Sequence, residues 1–177
     1  MKQTQYSPIS VWLHWLMLIL LASVYAAIEL RGIFERGTEA RDLMKTVHYL
    51  LGLSVFTLVW LRLLARLVTP TPDRETYGAF QQWSSKLMFV ALYTLMIAMP
   101  MLGWALVSAE GHIISIFSLH LPQLLDENKE LASQIKEIHE TVGTAGYFLI
   151  GLHATAGLFH HFVKKDETLR RMLRFKS

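Results

Sequence analysis

Apolar residues run along this chain in four long blocks, roughly 8–30, 43–68, 82–107 and 135–163, separated by polar connections. Each block reaches about 20 residues, the length at which a helix rising about 1.5 Å per residue crosses about 30 Å of hydrocarbon. Backbone in hydrocarbon must satisfy its own hydrogen bonds, so the blocks predict four transmembrane helices packed as one bundle, a single domain over 1–177. The expected fold class is an all-α membrane protein. The first block lacks a strongly basic leader and a small-x-small cleavage site and continues through Tyr25 and Glu29, so it is expected to persist as a span. Of the connections, 31–42 is short and mixed in charge, and TPTPDRETYG is a proline-rich stop after the second block. The longest, 108–134, contains HIISIFSLHLPQLL, apolar enough to be expected to lie on the bundle or in the membrane interface and form a lid.

Charge orients the bundle, because Lys and Arg gather in cytoplasmic segments. If both termini are inside, 11 of the 17 Lys and Arg fall inside and 6 outside, whereas the acids divide 4 inside and 10 outside. The expected topology is therefore both termini cytoplasmic. Charged residues make up 18% of the chain, against roughly 25% in soluble domains, which fits a lipid-facing surface. The basic residues flank spans without interleaved aromatics on a soluble fold, so nucleic acid is not the expected partner and the lipid bilayer is. No cysteine is present, which removes disulfides, thiolate metal sites and covalently attached c-type haem.

The segment EIHETVGTAGYFLIGLHATAGLFHH, residues 137–161, puts four histidines and four glycines into the last span. At 100° per residue His139 and His153 share a face, about 40° apart in projection and about 21 Å apart along the axis. Gly143, Gly146 and Gly157 project within about 40° of His139, baring backbone against which a flat macrocycle could lie. His48 lies near the outer end of the second span and His14 near the inner end of the first. Depth then pairs His48 with His139 outside and His14 with His153 inside. Two such pairs read as two bis-histidine haem sites, since paired imidazoles fill both axial positions of a haem iron and favour electron transfer over oxygen chemistry. Histidines that merely bond between helices, and a metal transporter, are the competing readings.

Arg62 and Arg66 project within about 40° of His48, about one haem layer deeper. Haem propionates or a quinone carbonyl are their expected partners, the alternative being that they snorkel to the inner surface. His160, about 10 Å nearer the inner side than His153, suits proton donation to a reduced quinone, or could replace His153 as ligand.

With these residues placed, the sequence resembles the prokaryotic cytochrome b561 family of four-helix inner-membrane proteins with two b-type haems. The resemblance rests on SVWLHW, AAIELRG, KTVHYLLG, RLLARLVTPTP, IAMPMLG and IHETVGTAGYFLIGLHATAGLFHHF followed by KKDETLRRM, and covers nearly the whole chain. It is similar above all to the branch that oxidises superoxide and reduces ubiquinone. The resemblance implies two haem b groups held by His14, His48, His139 and His153, and ubiquinone near Arg62, Arg66 and His160. It further implies superoxide attracted by Arg31, Lys45 and Arg41, in the bacterial inner membrane. Two segments depart from the family pattern: QQWSSKLMF lacks the histidines often found there, and the inner loop is not rich in lysine and proline. A different class remains open, an anchor cytochrome relaying electrons between quinone and a soluble redox partner.

Overall fold

The computed structural model describes residues 5–69, 78–116 and 118–173. Most of the inner loop TPTPDRETYG, and Lys2, Arg74, Arg174 and Lys176 of the charge asymmetry, lie outside the described residues. Four long helices, α1 (Pro8–Arg31), α2 (Glu39–Val68), α3 (Ala79–Ala109) and α4 (Lys129–Phe159), form an antiparallel bundle. All four are long and apolar enough to cross a membrane. α4 runs on through a π-helical turn, His160–Lys164, and the chain ends in the short α5 (Arg170–Leu173). With four spans both termini emerge at one end, the tail end; the connections α1–α2 and α3–α4 close the other, the loop end.

Local chemistry sets the boundaries. Ser7 caps α1, its hydroxyl accepting from the Ser10 amide, and Pro8 occupies a first-turn position where its missing N–H costs nothing. Asn128 caps α4 through its side chain, which accepts from the Leu131 amide at 3.0 Å. α2 begins at Glu39 rather than 43, α3 at Ala79 rather than 82 and α4 at Lys129 rather than 135, each extended by at least one further polar residue. The apolar pattern marks only the part facing hydrocarbon, whereas a capped helix continues into the headgroup region on its own hydrogen bonds. Pro100 sits inside α3, as membrane helices allow where neighbours make good the lost bond.

Two separate cores hold the bundle. Met17, Val55, Leu58, Val59, Tyr93 and Met96 join α1, α2 and α3; Ala109, Ala132 and Ile135 join α3 to α4 at the loop end. Along its middle α4 buries only Gly146, and Phe148 (76% exposed) and Leu152 (61%) face outward, as do Ile19 (61%) and Leu64 (57%) elsewhere. Apolar side chains this exposed are at home only against lipid. The histidine-bearing stretch of α4 is thus the least packed part of the interior.

The long connection folds onto the loop end. Its strands β1 (Ser115–Ile116) and β2 (Leu119–His120) form a small antiparallel hairpin with Ser115 opposite His120. The Trp104 indole donates to the Pro122 carbonyl at 3.0 Å, the Leu124 amide to the buried Ser108 hydroxyl at 3.1 Å, and Ile114 is buried beneath. These contacts hold the segment against the loop end of α3.

Candidate functional site

The bundle brings the four histidines together in two levels. The ring centroids of His48 (α2) and His139 (α4) lie 6.2 Å apart with planes at 76°. Those of His14 (α1) and His153 (α4) also lie 6.2 Å apart, with planes at 72°. α2 and α4 each begin before their apolar stretches, so His48 and His139 lie further along their helices than the pattern places them, yet stay level with each other. Two imidazoles that each put a nitrogen about 2 Å from one metal ion have centroids about 6.4 Å apart. Edge-to-face aromatic pairs share that range, so the surroundings decide.

Around the first pair the surroundings fit haem. His48 donates Nδ1–H to the Val24 carbonyl at 3.1 Å, which orients the ring and leaves its Nε2 lone pair free to bind a metal. The Nδ1 of His139 is buried with no hydrogen-bond partner among the described residues. A cavity of about 350 Å³ adjoins both rings, lined mainly by apolar side chains and by Gly52, Gly103 and Gly143. Gly103 lies so close that a Cβ there would stand 3.3 Å from the His139 ring. No cluster of three or more His, Cys, Asp or Glu exists among the described residues. Two imidazoles alone are a poor site for a bare ion but complete the coordination of an iron whose other four donors come from a macrocycle.

At the second pair Arg62 Nη2 donates to His14 Nδ1 at 2.9 Å, so in the neutral ring Nε2 carries the proton. Ligation through His14 Nε2 therefore requires Arg62 to release Nδ1. Its guanidinium also lies 5.5 Å from the Tyr93 ring centroid, and that of Arg66 lies 4.4 Å from Phe89. Arg62 is half-buried and Arg66 exposed, so only Arg62 reaches the histidine layer. His153 is itself exposed on the flank of α4, and a Cβ on nearby Gly157 would meet nothing within 4 Å. Gly146 is buried instead under Tyr25 and Leu95: a Cβ there would collide with the Tyr25 hydroxyl, which donates to the Gly143 carbonyl at 2.9 Å.

Of the three outer cations, Arg31 and Lys45 line the cavity beside His48, and Lys45 reaches Glu110 at 3.7 Å. Arg41 instead donates to the carbonyls of Arg31 and Phe34 at 3.1 and 2.7 Å, fastening the end of α1. At the tail end His160 is held by the Asp166 carboxylate through Nδ1, and its Nε2 faces the Gln81 amide on α3 at 3.2 Å. Burial pushes the Asp166 carboxyl up, but hydrogen bonds from His160 and Thr168 outweigh it and hold the group below the usual carboxylate range.

Sequence reading passed over Tyr147 with its bond to Glu29 at 2.7 Å, Gly52, Gly103, Gln81 and Asp166. The glycines of α2 and α3 carried a signal, since a helix that approaches a ring closely needs bare backbone. Gln81 lies within QQWSSKLMF, whose lack of histidine drew the eye away from its amides.

A membrane-spanning four-helix bundle with stacked histidine pairs defines an electron-transfer class of protein. A model of the family "Prokaryotic cytochrome b561" matches residues 5–175, and the chain belongs to that family. It is accordingly a multi-pass membrane electron-transfer protein that binds b-type haem. Cytochrome b561 homolog 1 of Escherichia coli (strain K12) is 38% identical over 176 residues, which is 96% of this chain and 97% of the relative. The probable superoxide oxidase CybB of Yersinia pestis is 34% identical over 175 residues, 96% of each chain. Cytochrome b561 homolog 2 of Escherichia coli (strain K12) is 27% identical over 175 residues, 96% of this chain and 91% of the relative.

Proposed function

We propose that this protein is a superoxide:ubiquinone oxidoreductase with two haem b groups per chain, embedded in the bacterial inner membrane with its tail end in the cytoplasm. The observation that carries the reading is the pair of histidine couples, each at 6.2 Å, stacked at two levels of one bundle. Likeness to a probable superoxide oxidase supports the choice of donor. His48 and His139 would hold one haem and His14 and His153 the other; haem ligated on both faces supplies one-electron transfer without an open position for oxygen.

The residues then divide the work by end. At the loop end Arg31 and Lys45 give the cavity mouth local positive potential, although acids outnumber bases outside, and Arg41 keeps that end in shape. Superoxide loses one electron and leaves as dioxygen, which needs no proton donor. At the tail end ubiquinone takes two electrons, from two superoxide anions, and two protons. Proton donation falls to His160, while Arg62, freed from His14, and Arg66 supply cations for propionates or the quinone carbonyl. Gly143 offers bare backbone beside His139 and Gly157 does so further along α4, whereas Gly146 is closed off by Tyr25.

In proteoliposomes exposing the loop end, superoxide generated outside is expected to drive ubiquinol formation. The rate should fall as salt shortens the Debye length from about 30 to about 8 Å, and Arg31→Gln with Lys45→Gln should lower it at low salt by about 3–10-fold. A rate indifferent both to salt and to these changes would remove electrostatic capture from the mechanism. Ubiquinol formation driven only by superoxide on the tail side would reverse the proposed orientation.

A further inference from the structure

The tail beyond α4 carries a feature that neither haem site uses. α4 loosens into a π-helical turn at His160–Lys164, Lys165 adopts the left-handed conformation at φ 54°, and the chain reverses so that Asp166 meets the His160 ring. A lysine pays for φ > 0 in strain, so the turn persists because the contacts it makes over-determine it. Those contacts are specific. The Asp166 amide donates to the His160 carbonyl at 3.2 Å, the Thr168 amide donates to Asp166 Oδ1 at 2.9 Å, and Asp166 Oδ2 takes the His160 Nδ1. Downstream, the Trp15 indole on α1 donates to the Met172 carbonyl at 2.7 Å, fastening the tail across the bundle end. His160 and Asp166 are largely enclosed, their side chains 19% and 13% exposed.

We propose that Asp166 is the positioning residue of the tail-end proton donor: it fixes His160 in the Nδ1–H form, so that protons reach reduced ubiquinone only through Nε2. This inference rests on the reading of His160 as that donor. A carboxylate can only accept, so the proton of the neutral ring stays on Nδ1 and the Nε2 lone pair points towards α3. There it meets Gln81, whose amide can donate to bare Nε2 or, turned over, accept from protonated Nε2. A proton taken up from water thus appears on Nε2 and, as the Gln81 amide gives way, passes from Nε2 to the reduced quinone oxygen. Asp166 stays ionised throughout. His160 delivers the two protons of each ubiquinol in succession, and the electrons come from the two superoxide anions already accounted for.

The test compares wild type, Asp166→Asn and Asp166→Glu as haem-loaded protein in proteoliposomes. Haem content, the rate of haem reduction by superoxide, and kcat and KM for ubiquinone are measured, together with the ¹⁵N shifts of His160. Asp166→Asn is expected to keep haem content and reduction by superoxide, to lower kcat for ubiquinone by about 10-fold or more with little change in KM, and to lose the Nδ1–H preference. Asp166→Glu should recover part of both. Unchanged kcat and an unchanged tautomer in Asp166→Asn would overturn the inference, as would equal losses of haem, kcat and KM in both variants, which mark a merely structural tail. Wild type that is reduced by superoxide but makes no ubiquinol refutes instead the underlying functional reading.

Discussion

Replacing His48 or His139 by alanine is expected to lower the haem content from the proposed two per chain to one, and to abolish rapid reduction by superoxide. His48 is oriented by its bond to the Val24 carbonyl, and His139 is hemmed in by Gly103 with its Nδ1 unpartnered; among the described residues nothing else at that level offers an imidazole. His112 and His120 lie in the loop connection, and His120 is engaged with the Ser115 hydroxyl at 2.8 Å. One axial ligand would remain in each variant, too few to hold the group in an open cavity. Haem-to-protein ratios by alkaline pyridine spectra, with rapid-mixing rates, check this. Two haems retained in either variant would show that the pair does not ligate.

The second large effect lies at the other level. His14→Ala or His153→Ala is expected to retain the loop-end haem and its reduction by superoxide, while superoxide-driven ubiquinol formation falls by about 100-fold or more, towards background. Electrons taken up at the loop end would then have no carrier across the remaining thickness of the membrane. The two variants should differ in one respect. In the haem-free protein, where His14 accepts from Arg62, removing His14 leaves that cation half-buried without this acceptor, so haem-free His14→Ala should be the less stable of the two, by about 1–3 kcal/mol. Thermal unfolding of both haem-free variants measures the difference. Ubiquinol formation at the wild-type rate in either variant would remove the second site from the path.

Much of this was legible in the sequence because a membrane helix converts residue number directly into depth. The apolar blocks located four spans, and counting from their ends paired His14 with His153 and His48 with His139, the rings that the fold brings within 6.2 Å. The extents were less legible. Asn128 begins α4 within the polar run DENKE, where hydropathy is blind and capping decides. Side-chain destinations were the least legible part. Arg41 turns to backbone carbonyls of the α1–α2 connection, and Gly146 is covered by the Tyr25 hydroxyl, because each depends on how two helices approach, which no single-helix projection contains. The His160–Asp166 contact needs a π-helical turn and a left-handed lysine, neither of which has a sequence period.

The central claim is that superoxide is the donor and ubiquinone the acceptor of this haem-bearing bundle. It is tested most directly by mixing the purified, oxidised, haem-loaded protein rapidly with superoxide and following the visible spectrum, with and without ubiquinone. The account predicts haem reduction at about 10⁸ M⁻¹s⁻¹ or faster, followed by reoxidation only when ubiquinone is present. Intact b-type spectra with reduction orders of magnitude slower than that would contradict it, and would identify the protein as a relay whose donor is a soluble redox partner.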